Sequence, residues 1–385
     1  MVLRDHNPTE AVRKESLTPP AKVVTQPDPR RSFIAATTPS PTSEVTPAQT
    51  RTTQDPMLSS RVLFYYKIFH FECDPHSATV RFMTIMEALQ WANNKLKKAG
   101  VESPMLDAEI LLAHTVGESK AWLFSHFSDK LKTHHRERFH ELVDRRSGRE
   151  PVAYIVGKKP FYGRDFKVNS MVLIPRPATE AMVDAALKTL NDHDPEKTLV
   201  CDIGTGSGAL AVTLAAETKL SIIAIDVDKQ ALTVASQNAT QLGVSDNIDF
   251  QHGSLAEPLI RIFKTIRGQT KVKTSSVYPF KHLLITANLP YLPEGRLEST
   301  QPEVHAYEPH LALVAGRDGL DAYFDLFRQL RANRNVLPRR VTVLIEIDPE
   351  QRRGAVSLIE HAFPTAKMNV HKDLQGLDRV VEAEA

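Results

Sequence analysis

The chain has 385 residues, 42% of them hydrophobic, enough for one large or two ordinary domains with a real core. A formal net charge of +2 argues for neither a nucleic-acid nor a membrane partner, and no apolar run approaches the roughly 18–20 residues that span a bilayer. The two cysteines, Cys73 and Cys201, lie far apart, which speaks against a disulfide framework and fits a reducing compartment, so a cytoplasmic protein is expected.

Residues 1–60 are rich in Pro, Thr and Ser, as in "ATTPSPTSEVTPAQTRTTQDP". Such a stretch buries too little apolar surface to offset its ordering entropy. The opening "MVLRDHNPTEAV" has no apolar core for a signal peptide, and Asp5, Glu10 and Glu15 speak against an organelle transit peptide. The aromatic run "RVLFYYKIFHF" is short and broken by Lys67. Residues 1–82 are therefore expected to be a disordered tail, dispensable for catalysis, with Met83 or Met86 as a candidate translation start.

Residues 83–150 read as a small helical domain suited to recognising a substrate. "MTIMEALQWANNKLKKAG" puts Ile85, Leu89, Ala92, Leu96 and Ala99 on one face, and "MLDAEILLAHTVG" and "HHRERFHELVDRRSG" repeat the scheme, each closing at Gly. Residues 151–176 change character. Aromatic and β-branched residues surround Gly157 and Gly163 in "AYIVGKKPFYGRDFKVNSMVLIP", which reads as a β-hairpin linker. From residue 177 to 385 strands and helices alternate, starting with "TLVCDIG", "SGALAVTLAAE", "SIIAIDV" and "DKQALTVASQNATQLG". Alternation of this kind implies an α/β fold with a parallel sheet covered on both faces. The closing strands "AKMNVHK" and "RVVEAE" have no helix between them and suggest an antiparallel addition at the edge.

The turn "VCDIGTGSGAL" places Gly204, Thr205, Gly206, Ser207 and Gly208 between a strand and a helix, where glycine permits tight turning and close approach to a ligand. With Ala209 the string also satisfies the dinucleotide pattern. Asp226 ends the next strand roughly 20 residues on, where a carboxylate can accept both hydroxyls of an adenosine ribose. The pair leaves NAD and S-adenosylmethionine open.

"ITANLPYLPEG" separates them. Asn288, Leu289, Pro290 and Tyr291 follow a buried-looking strand, and a hydride-transfer enzyme has no use for such a loop there. A plain Pro-rich turn is the bland alternative. Methyl transfer to a carboxamide nitrogen, by contrast, needs two acceptors rather than a strong base. The Asn288 side-chain oxygen and the Leu289 carbonyl would hold the NH2 group, Pro290 would fix the backbone, and Tyr291 would wall the pocket against water.

Here a family resemblance enters. Asn-Leu-Pro-Tyr resembles the Asn-Pro-Pro-Tyr motif of class I methyltransferases that act on planar NH2 groups. "REPVAYIVGKKPFYGRDFKVNSMVLIPRPATE", "AYEPHLALVAGRDGLDAY", "VHKDLQGLDRVV" and "DAEILLAH" resemble the HemK-type (PrmC-like) family, the glutamine methyltransferases of peptide chain release factors. The resemblance runs from about residue 83 to the end. It implies a class I S-adenosylmethionine-dependent methyltransferase, a Rossmann-like sheet with an antiparallel final strand, preceded by the helical bundle. It implies S-adenosylmethionine bound by residues 204–208, Asp226, Leu255 and Asn288, with the glutamine of a Gly-Gly-Gln loop held at Asn288 and the three residues after it. No metal is implied, and a monomer is expected. Phe161 and the Pro175-Arg176-Pro177 segment would pack near the cofactor, and Tyr307-Glu308-Pro309 beside the substrate cleft.

The departures are specific. Leu289 replaces a proline, but only its carbonyl is needed. Ala178 stands where the family usually has an acid, and Ser254 where it has an Asp facing the adenine amino group. Residues 259–282 form a longer connection than the family's, bearing Arg261, Lys264, Arg267, Lys271, Lys273 and Lys281, and read as a solvated surface loop. Three rivals remain: a ribosomal-protein glutamine methyltransferase, an adenine-amino methyltransferase acting on rRNA or DNA, and a non-catalytic S-adenosylmethionine-binding protein. The near-neutral charge and the helical domain oppose the nucleic-acid reading.

Overall fold

Thr84 starts the helical region with a capping box: its hydroxyl accepts from Glu87 N at 3.2 Å, and its own N–H donates to the Glu87 carboxylate at 2.8 Å. Reciprocal caps of this kind stabilise a helix start by about 1 kcal/mol. The computed structural model describes residues 83–269 and 280–385, all inside one compact unit that runs from Thr79 to Ala385. The expected tail therefore lies outside the described residues. The capped helix is α1 (Ile85–Lys98), followed by α2 (Pro104–Val116), a short α3 (Lys120–Ser125) and α4 (Thr133–Ser147). Leu89, Leu96, Leu111, Leu112, Phe139 and Leu142 interlock as its core. Each such side chain contributes roughly 1.5–3 kcal/mol on burial. The sequence pattern shows three of these helices; α3 is too short to show a period.

The hairpin is narrower than the stretch read from the sequence. Val152–Val156 forms a one-turn helix, α5, and only β1 (Lys158–Phe161) and β2 (Arg164–Lys167) pair, antiparallel. The apolar residues after β2 serve packing rather than pairing: Val168 and Val172 cluster with Ala231 and Val234. Helix α6 (Glu180–Asn191) follows.

The sheet then builds in the expected alternation. β3 (Thr198–Ile203), α7 (Ala209–Thr218), β4 (Ile222–Asp226), α8 (Lys229–Gln241) and β5 (Ile248–His252) make one half. Helix α9 (Glu257–Gln269) leads towards β6 (His282–Ala287), and then come a six-residue helix α10 (Pro302–Tyr307), α11 (Asp321–Ala332), β7 (Arg340–Glu346), α12 (Arg352–Ala362), β8 (Lys367–Lys372) and β9 (Asp378–Glu384). The order across the sheet is β5-β4-β3-β6-β7-β9-β8, parallel except for β9. The last strand thus inserts between β7 and β8, the topology of class I methyltransferases. Every residue of β3 and of β6 is buried, as helices on both faces require. The winding reverses between β3 and β6. In open α/β sheets the crevice at the carboxyl ends of such strands is where ligands bind.

One expectation needs correcting here. Residues 257–269 are a helix and not a solvated loop, because Leu259, Ile260 and Phe263 recur at helical spacing and are buried in the main core. Arg261 and Lys264 point outward, while Lys271 and Lys273 lie outside the described residues.

Candidate active site

At the reversal point the β3 turn folds onto the neighbouring strand end. Gly204 N and Thr205 N both donate to Ile225 O at 2.9 Å, Gly208 N donates to Thr205 O at 2.8 Å, and Gly206 N donates to the Asp226 carboxylate at 2.8 Å. Gly206 sits at φ +55° and a Cβ there would meet nothing within 4 Å, so its open side faces the crevice. Gly204 is different: at φ +74°, its Cβ would come 2.8 Å from the Leu289 side chain. The glycine turn and the Asn-Leu-Pro-Tyr loop touch at that point.

Asp226 accepts one amide on each oxygen, from Gly206 and, at 2.9 Å, from Asp228. A carboxylate oxygen has two lone pairs, so each retains one for a ligand hydroxyl. Burial raises this carboxyl, and the amides of Asp228, Gly206 and Val227 pull the other way. Asn238 was not singled out from the sequence, yet it is fully buried behind the turn. Its amide donates to Ser207 O at 2.8 Å and to Lys167 O at 3.0 Å, and accepts from Lys167 N at 2.7 Å, tying β2 to the turn. Leu255 adopts φ +51°, rare for a branched side chain.

The turn, Asp226 and Leu255 line a cavity of about 330 Å³. Its walls include 203–207, Asp226, Leu255 and Ser254 on one side, and Arg176, Thr179, Asn288, Leu289, Pro290 and Pro309 on the other. Gly208 is displaced to the N-cap of α7 and does not line it. Pro175 and Arg176 do, whereas Phe161 is 1% exposed inside the core against Phe166 and Met182. Its hairpin position serves packing, which corrects the expectation that it lies near the cofactor.

The Asn-Leu-Pro-Tyr loop is held from behind. Asn288 Nδ2 donates to Thr179 Oγ1 at 3.1 Å, which leaves Oδ1 as the group available to the cavity. Leu289 N donates to the Tyr323 hydroxyl at 3.2 Å, and that hydroxyl lies 2.5 Å from Glu346 O. Among the described residues nothing donates to the Leu289 carbonyl. Tyr291 does not wall the cavity as expected. It turns back, its phenol donating to Glu346 Oε1 at 3.1 Å, while its own carbonyl accepts from Gln351 Nε2 at 2.7 Å.

The loop carrying Tyr307-Glu308-Pro309 closes the crevice. Glu308 accepts from Ile174 N at 3.2 Å and from Arg176 at 2.5 Å, and Tyr307 Oη donates to Gly148 O at 2.6 Å. Glu303, on α10, receives Arg146 at 2.7 Å and Arg149 at 2.5 Å, and Arg146 also donates to Asp107 at 2.7 Å. Burial alone would raise the Glu303 carboxyl, but the bonds from Arg149 and Arg146 outweigh it and hold it below its usual range. The helical domain is thereby fastened to the loop that edges the cavity.

The model of the PrmC N-terminal domain matches residues 87–157. Release factor glutamine methyltransferase of Bacillus anthracis is 35% identical over 304 residues, covering 78% of this chain and 99% of that protein. The chain belongs to the release factor glutamine methyltransferase family. The Bacillus subtilis relative is 38% identical, with 77% and 96% covered, and that of Cereibacter sphaeroides 37%, with 78% and 98% covered. A model of ribosomal protein L11 methyltransferase matches residues 179–262. That match ends before β6 and the Asn-Leu-Pro-Tyr loop. Among the described residues no helix of this methyltransferase is long and apolar enough to cross a membrane.

Proposed function

We propose that the crevice binds S-adenosylmethionine against residues 204–207 and Asp226, and that Asn288 with the Leu289 carbonyl holds the side-chain amide of the glutamine in the Gly-Gly-Gln loop of a class-one release factor. The use of the turn's own amides supports the cofactor. Gly204, Thr205, Gly206 and Gly208 already donate within the protein, so they do not offer the row of free N–H groups that a pyrophosphate needs. What remains is two acceptor sites on Asp226 and an apolar wall at Leu255, which suit a nucleoside bearing no phosphate. When bound, S-adenosylmethionine supplies an electrophilic methyl group on a sulfonium.

The single observation that carries the substrate assignment is the polarity of Asn288. Its nitrogen is engaged by Thr179, so it presents an acceptor. Two acceptors aimed at one NH2 group orient the nitrogen, weaken its conjugation with the carbonyl, and stabilise the positive charge that develops on it. Neither acceptor is a base. The nitrogen becomes acidic only as it is alkylated, and its proton then leaves to water. Tyr307, Glu308 and Glu303 set the edge of the crevice over which the protein substrate would reach in.

The test is incubation with methyl-labelled S-adenosylmethionine and a purified class-one release factor, followed by peptide mass spectrometry. Label on the glutamine of Gly-Gly-Gln is expected. Label on a ribosomal protein or on RNA, with none on the release factor, would contradict the assignment.

A further inference from the structure

We propose that Arg176 binds the amino-acid carboxylate of S-adenosylmethionine, with Glu308 as the positioning residue that holds its guanidinium at the cavity, a role that rests on the assignment of the crevice to that cofactor. Among the described residues that line the cavity, Arg176 is the one cation, and Asp226 and Asp228 are the anions. The two acids belong to the end of β4 and the start of α8, whereas Arg176 comes from the segment before α6. S-adenosylmethionine has the matching polarity. Its ribose hydroxyls suit Asp226, and a carboxylate ends its other arm. Asp226 and Asp228 repel that carboxylate, and Arg176 is the fixed countercharge in the wall.

The pair is built with the cation in front. The Glu308 side chain is 1% exposed, and it accepts from Arg176 Nη2 at 2.5 Å and from Ile174 N at 3.2 Å. The Arg176 side chain is 34% exposed and lines the cavity, so a ligand there meets the guanidinium and not the carboxylate behind it. A guanidinium carries five N–H donors in a planar fork. Among the described residues Arg176 commits its Nη2 to Glu308 and donates to nothing else. The remaining donors can pair a second carboxylate in the two-pronged geometry that arginine favours. Glu308 offsets part of the charge, so short charge-assisted hydrogen bonds, and not long-range attraction, would carry the contact. The backbone is fixed as well. Arg176 is extended, at φ −97° and ψ 142°, the region that a following proline imposes. A donor held at both backbone and guanidinium loses little freedom when it binds.

The experiment is calorimetric titration of the full chain with two probes. S-adenosylhomocysteine keeps the amino-acid tail, whereas 5′-methylthioadenosine keeps the nucleoside and the sulfur but has no carboxylate. Arg176→Met should weaken S-adenosylhomocysteine by about tenfold or more and change 5′-methylthioadenosine by no more than about twofold. If Arg176→Met does not fold because Glu308 is left buried without its cation, the neutral pair Arg176→Met/Glu308→Gln decides the same comparison. S-adenosylhomocysteine affinity within about twofold of the wild type in a folded variant, or equal losses for the two probes, would overturn the proposal. A raised KM for the release factor with unchanged S-adenosylhomocysteine affinity would give Arg176 to the protein substrate and overturn it too. A wild-type protein that binds neither probe would instead overturn the assignment of the crevice, and the role of Arg176 with it.

Discussion

The two ends of the crevice are built in different ways. The end proposed for the cofactor is backbone: a turn of five residues closing on Ile225 O and on one carboxylate, Asp226. The end proposed for the substrate is side chain: Asn288 on Thr179, Leu289 on Tyr323, Tyr291 on Glu346, and the facing loop on Arg146, Arg149 and Arg176. The first end needs glycine conformations and one acid, so many sequences can make it. The second needs particular partners from four separate parts of the chain. On the proposed reading, specificity for an unreactive amide would belong to the second, and cofactor affinity to the first.

If that division holds, cutting a remote tie of the substrate end should leave the cofactor end untouched. Glu303→Gln removes the carboxylate shared by Arg146 and Arg149; Arg146 keeps Asp107, so the cost should fall below the roughly 3–5 kcal/mol of a fully unpaired buried charge. A lower melting temperature and slower methylation are expected, with unchanged S-adenosylmethionine affinity in calorimetry. Loss of cofactor binding in the folded variant would show that the two ends are not separable.

Gly204 is where the division should break. Gly204→Ala places a methyl 2.8 Å from the Leu289 side chain at φ +74°. Left-handed strain and overpacking together cost about 2–4 kcal/mol. Both cofactor affinity and transfer rate should fall in this one variant, as titration and single-turnover kinetics would reveal. A fall in only one of them would mean that the contact with Leu289 does not couple the two ends.

Beneath the turn, Asp202 sharpens the comparison through pH. It is 1% exposed, accepts from Thr286 Oγ1 at 2.7 Å, and has its carboxyl raised by burial from 3.8 to about 6. The folded state therefore holds this proton more tightly than the unfolded chain. Its contribution to stability is full below pH 4 and is lost as pH rises towards 6, by up to about 3 kcal/mol. Asp202→Asn cannot titrate, so melting temperatures of the two proteins should diverge in the variant's favour between pH 4 and pH 6. A constant difference across that window would contradict the raised value.

The same contrast explains what could be read in advance. The glycine turn and Asp226 lie twenty residues apart in a repeating strand-turn-helix pattern, and the bond from Gly206 to Asp226 spans 20 residues. Such spacing is visible in a linear string, and so were the strands and the Asn-Leu-Pro-Tyr loop itself. What holds that loop was not visible. Thr179 and Asn288 are separated by 109 residues, and Arg146 and Glu303 by 157, so no local pattern pairs them. Tyr323 and Glu346 look like ordinary members of an amphipathic helix and a buried strand. Glu346 did carry one signal, an acid directly after the apolar run 343–345 in "RVTVLIE". Phe161 and Tyr291 misled because an aromatic beside a functional motif can pack inward as readily as it can line a cavity.

One paired measurement on two variants meets the division of labour head-on. Asp226→Ala should weaken S-adenosylmethionine binding by about tenfold or more, since charge-assisted hydrogen bonds contribute roughly 1.5–3 kcal/mol each, while its transfer rate at saturation stays near wild type. Asn288→Ala should do the reverse, binding cofactor within about threefold of wild type and losing about 99% of the single-turnover rate on the release factor glutamine. Unchanged cofactor affinity in Asp226→Ala, or more than about a tenth of the rate surviving in Asn288→Ala, would contradict it.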